Sequence, residues 1–220
     1  MTCFFIIMAL IFGYIISLPL NALATRLCAA ADDVIPLHIM RYIAPLVSIA
    51  CLGAGILSTS PASWGMTIPF VLLLILVTFC DIRFKLIPDK VILPGIAVAI
   101  VVQIFFNALP VWNYFLAALF SGGIFYFIAL LTTRKNQAPS VGGGDIKFLF
   151  LIGLILGIKL TFIAFIFLSF LGTLFGLYLL LFRRVKGMVI PFGPFIAAGS
   201  LISYLWGEDW TRLFLQNLLL

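Results

Sequence analysis

At 220 residues, with 65% hydrophobic and 9% charged side chains and a mean hydropathy of +1.31, the chain is too apolar for a water-soluble domain. Such domains run closer to about half apolar and about a quarter charged. The net charge of +6 would suit a nucleic-acid partner only if the bases clustered without a topological reason, and here they have one.

In chain order, apolar runs near 3–21, 42–58, 66–80, 91–108, 113–132, 146–158, 160–182 and 188–206 predict an all-α polytopic membrane protein of about eight spans. Residues 1–220 then form a single integral membrane domain. The opening "MTCFFIIMALIFGYIISLPL" has neither a basic n-region nor an A-x-A-like site, so it reads as the first span and not as a signal peptide. The connection at about 133–145, "TTRKNQAPSVGGGD", concentrates Pro, Ser, Asn and Gly, which is loop chemistry. The span after it is short. About a dozen residues separate Asp145 from Gly157, where a straight crossing needs roughly 20. Asp145 is therefore expected in a thinned or protein-lined, wet part of the membrane, where irregular backbone is tolerated.

These spans put the bases on alternate connections: Arg26 and Arg41; Arg83, Lys85 and Lys90; Arg134, Lys135 and Lys147; Arg183, Arg184 and Lys186. Only Lys159 and Arg212 fall opposite. By the positive-inside rule the richer side is cytoplasmic, which puts both termini outside. No nucleic-acid partner is needed. Cys3, Cys28, Cys51 and Cys80 occur singly, with no C-x-x-C pair, so neither a zinc knuckle nor a disulfide framework is indicated. His38 alone makes no metal site, and no metal is expected.

Acids are scarce. Asp32 and Asp33 lie in the first connection and Glu208 and Asp209 near the C-terminal end, which leaves Asp81, Asp89 and Asp145 at cytoplasmic ends of spans. Ionisable residues at membrane depth are costly and point to function. Asp81, in "TFCDIRFKLIPDK", and Asp145, in "SVGGGDIKF", share a side and a depth. Two carboxylates close enough to share a proton divide into an ionised and a neutral member. The first can take a proton from water while the second hydrogen-bonds a carbonyl under attack, which is amide hydrolysis without metal, serine or cysteine. A partly dehydrated setting favours the protonated member near neutral pH. Gly142 and Gly144 leave the backbone beside Asp145 bare, so an extended substrate strand can approach. Blander roles also suit these residues: Asp81 pairing with Arg83 or ending a helix, Asp89 as an N-cap after a Pro turn, Asp145 as a first-turn acid, Lys147 as a snorkelling anchor.

The run "DIRFKLIPDKVILPG", then "GGGDIKFLFLIGLILG", then "IPFGPFIAAGS" resembles the type IV prepilin peptidases, membrane aspartic proteases of the G-x-G-D class. A weaker echo lies in "GYIISLPLNALATRL". The resemblance implies Asp81 and Asp145 as catalytic aspartates, Gly142 and Gly144 as the motif glycines, and Asp89 as a motif residue outside the chemistry. It implies cleavage of prepilin or pseudopilin leaders, just before the substrate's apolar N-terminal helix, at the cytoplasmic face of a bacterial inner membrane. Arg83 or Lys147 would then hold an acidic residue near the new N-terminus. No cofactor is needed for proteolysis, and S-adenosylmethionine enters only if N-methylation is retained. The chain departs from many relatives in its first cytoplasmic connection, about 22–41, which holds only Cys28 where they carry a longer region with paired, zinc-binding cysteines. The related presenilin-like or signal-peptide-peptidase-like proteases carry Pro-Ala-Leu in a late span, where this chain has "PFGPF". A small proton-coupled transporter would show inverted repeats and paired mid-span breaks, and neither is visible.

Overall fold

The computed structural model describes residues 2–28, 37–60, 63–105, 110–132, 142–183 and 190–218. They form seven α-helices: α1 Thr2–Leu27, α2 Leu37–Ser58, α3 Trp64–Phe84, α4 Asp89–Phe105, α5 Val111–Thr132, α6 Gly143–Tyr178 and α7 Gly193–Leu218, with a π-helical turn, Leu179–Arg183, after α6. Among the described residues there is no strand. Residues 64–84, 111–132 and 143–181 are long and apolar enough to cross a membrane, and Tyr42–Ser58 is a shorter apolar helix. The expected connections lose length to these helices. α1 continues to Leu27 and α2 begins at Leu37, inside the predicted 22–41 connection, because intrahelical bonding does not stop where apolar sequence does. Asp32, Asp33, Arg134, Lys135, Arg184 and Lys186 lie outside the described residues.

Two compact units are distinguished. The first comprises residues 1–86 and 205–220. Here α1 crosses α2 so tightly at Gly13 that a Cβ would lie 2.6 Å from the Ile49 Cα. Close approach through small residues is how apolar helices associate in lipid, where hydrophobicity itself gives no drive. In α3 every residue from 74 to 81 is buried, so this stretch is enclosed on all sides and not on one face.

The second unit, residues 87–204, is built on α5 and α6. A Cβ on Gly153 would sit 2.6 Å from the Ala117 carbonyl oxygen and the Ala118 Cα, and Ser121 Oγ donates to the Leu149 carbonyl at 2.8 Å. Eight separate spans are expected from the sequence. The sixth and seventh, 146–158 and 160–182, correspond to the two parts of α6, which is interrupted at Gly157 (φ 73°, ψ 175°) where the sequence puts their division. Leu149 and Ile152, before the break, line the same small cavity as Thr161, Ala164, Phe165 and Leu168, after it. A straight helix would hold Leu149 and Leu168 about 28 Å apart, so the chain doubles back at Gly157 into two limbs, 143–156 and 158–178. Gln103 of α4 donates to the Leu154 carbonyl at 2.6 Å, satisfying an oxygen beside the break. Phe125 of α5 stacks on Phe165 of the second limb with centroids 5.7 Å apart. Early α7 crosses that limb at Gly199, and Ser203 Oγ donates to the Leu160 carbonyl at 2.6 Å.

Candidate active site

Asp81 belongs to the first unit and Asp145 to the second, and each has its own local architecture. Asp81 stands in the last turn of α3 and is 5% exposed. The helix ends at Lys85, whose left-handed backbone (φ 50°) turns its N–H onto the Asp81 carbonyl at 2.9 Å. This αL cap satisfies a terminal carbonyl, normally with glycine at the left-handed position. Arg83 is 3% exposed; its Nη1 donates to Thr25 Oγ1 of α1 at 2.6 Å, and its guanidinium lies 4.8 Å from the Phe84 ring centroid. Thr25 in turn donates to the Asn21 carbonyl at 2.9 Å. Burial pushes the Cys28 thiol up, against the opposing influence of Cys80, next to Asp81, and of the Arg83 charge.

Asp145 occupies the first turn of α6, half-buried. Gly142 is the N-cap in extended conformation, and its carbonyl accepts the Asp145 N–H at 3.1 Å and the Ile146 N–H at 3.3 Å. The motif glycines separate by packing. A Cβ on Gly142 would lie 2.9 Å from Asp145 Oδ2, and one on Gly144 would lie 2.9 Å from the Ile87 Cβ. A Cβ on Gly143 would meet nothing within 4 Å. The two glycines that the G-x-G-D pattern requires are the two that space requires. Accordingly Gly143→Ala is expected to leave peptide cleavage near wild type, whereas Gly144→Ala lowers it about tenfold or more by displacing the turn. Initial rates of the two purified variants check this, and equal rates would remove the steric reading.

Asp89 corrects the sequence expectation. The N-cap carbonyl of α4 is that of Pro88, which accepts from Val91 at 3.0 Å and Ile92 at 3.3 Å. The Asp89 carboxylate sits one residue later and takes Lys147 Nζ on both oxygens, at 2.8 and 2.7 Å. Pro88 lacks an N–H and needs none at that position, which leaves the acid free for a long-range partner. Of the four residues expected to shape the site, then, Gly142 touches Asp145, Gly144 touches Ile87, Lys147 holds Asp89 and Arg83 holds Thr25. The roles of Ile87 and Thr25 are invisible in the sequence, because neither has a local signature.

Together these features define an all-helical integral membrane protein with one carboxylate at a helix end and another on a glycine-bared helix start. The sequence profile of the type IV leader peptidase family matches residues 68–177, a stretch that includes Asp81 and Asp145, and the chain belongs to that family. It is 32% identical over 187 residues to a prepilin leader peptidase/N-methyltransferase of Bacillus subtilis (strain 168), covering 81% of this chain and 72% of the relative. It is 30% identical over 188 residues to the protein of that name from Aeromonas salmonicida (strain A449), covering 81% and 62%. A relative of the same name from Pseudomonas putida is 29% identical over 182 residues, covering 77% and 60%. The chain thus spans less than two thirds of the length of several of these relatives. No solved structure gives a significant match.

Proposed function

We propose that this chain is an aspartic endopeptidase that removes the leader of type IV prepilins or secretion pseudopilins at the cytoplasmic face of a bacterial inner membrane. Family membership carries the reading, because the matched stretch includes both aspartates. The acids' positions support it: Asp81 closes α3 and Asp145 opens α6, each beside packing that fixes its backbone. In the reaction the ionised carboxylate takes a proton from water as the water oxygen bonds to the scissile carbonyl carbon. The neutral carboxyl hydrogen-bonds the carbonyl oxygen as charge grows there. Collapse of the tetrahedral species breaks the C–N bond, with a proton delivered to the leaving amine. The charge bias along the chain supports the cytoplasmic side.

Co-expression with a prepilin is the test. A faster-migrating product whose new N-terminus begins at the apolar helix is expected; an intact prepilin would sink the proposal. The relatives' names also include N-methyltransferase. Since the first connection of this chain lacks the paired cysteines, we expect cleavage with no methyl label transferred from radiolabelled S-adenosylmethionine. A labelled product would show that transfer needs no such region.

A further inference from the structure

We propose that Asp89 and Lys147 are a positioning pair, which holds the first turn of α6 in register so that Asp145 meets the substrate. This rests on the reading of Asp145 as catalytic. The turn that carries Asp145 opens with Gly142, Gly143 and Gly144, the residues least able to hold one backbone conformation, and its N-cap has no side-chain hydrogen bond of its own. Two contacts tie it to the segment 87–89 of the same unit. Gly144 lies against Ile87 with no room for a methyl group, and Lys147 spans 58 residues of sequence to both oxygens of Asp89. Pro88 stiffens the middle of that segment, and its carbonyl anchors it to α4.

The pair lies where it contributes little to holding the fold: its side chains are 46% and 52% exposed, and solvated ion pairs add little to stability. What it does supply is direction. Lys147 sits two residues after Asp145 on a helix, so fixing its tip fixes the rotation of the turn about its axis. A displacement of about 1 Å at a reacting group costs about a hundredfold in rate.

The test uses the purified full chain in detergent with a full-length prepilin, comparing Asp89→Asn, Lys147→Met, Asp89→Glu, Lys147→Arg, the charge-swapped double variant D89K/K147D, and Asp145→Asn. The neutral single variants are expected to lose about tenfold to hundredfold in kcat, with KM within about threefold of wild type. The conservative variants and the swap should recover most of the loss, and thermal midpoints should stay within a few degrees of wild type. Wild-type kcat in both neutral variants overturns the positioning role, as does a swap no better than its parents. A loss confined to KM overturns it as well, and makes Lys147 a substrate contact. An Asp145→Asn variant that is dead while the neutral variants are unimpaired sinks only this inference. One that still cleaves sinks the aspartic reading and this inference with it.

Discussion

Replacing Asp81 or Asp145 with alanine or asparagine is expected to leave a co-expressed prepilin unprocessed, a fall of at least about 10²–10⁴ in rate from the loss of acid–base chemistry. The two losses should be equal and not additive, because a pair that handles one water fails when either member fails. Asp81 is buried, so the alanine variant removes packing as well as chemistry, whereas the asparagine variants keep the side-chain volume; expression and detergent-extracted yield should hold for Asp81→Asn and Asp145→Asn. This separates lost chemistry from lost folding. Asp89→Ala should be milder. A loss of about tenfold to hundredfold is largely hidden when substrate and enzyme share a membrane for hours, and becomes plain only in initial rates. Full processing by Asp81→Ala or by Asp145→Ala would end the aspartic mechanism, and complete loss in Asp89→Ala would reopen the choice of acids.

Gly157→Ala should lower stability by two routes at once, backbone strain and steric overlap. At φ 73° and ψ 175° the residue sits in backbone space essentially reserved for glycine, at a cost of about 1–3 kcal/mol for another residue. The added Cβ would also lie 2.5 Å from Asn113 Nδ2 of α5. For a chain of this size each kcal/mol lowers the midpoint by roughly 2–4 °C, so a drop on the order of 5–10 °C in detergent is expected. Asn113→Ala in the same background should return the steric part and leave the backbone part. Gly176→Ala, later in α6 where an added Cβ meets nothing within 4 Å, is the control. Equal midpoints for the Gly157 and Gly176 variants would show that the fold-back does not depend on glycine geometry.

Class and motif were legible because both rest on local signals. Hydropathy alone marked the helices, and "GGGD" with its downstream Lys147 marked the second acid. Faces were not legible, since the spans are apolar nearly all round: the burial of every residue from 74 to 81 looks the same in sequence as lipid exposure. Boundaries slipped where polar residues continue a helix, as from Asn21 to Leu27. The break at Gly157 showed as a span too short to cross, but its repair by Gln103 came from a helix 51 residues away. The Asp89–Lys147 bond was missed for the same reason. A proline turn before an acid is a good N-cap signal, and a contact 58 residues distant leaves no mark on local pattern to outweigh it.

The doubled-back α6 has a further consequence, for the depth it reaches. Its first limb, residues 143–156, extends only about 21 Å, against a hydrocarbon layer of about 30 Å, and any tilt shortens that reach. Residues 148, 149, 151–154 and 156 of this limb are buried, so the shortfall of roughly 9 Å falls in a part of the membrane lined by protein and not by acyl chains. A limb that starts at one interface stops short of the other, so its end at Gly157 draws its carbonyl partner from Gln103 and not from water.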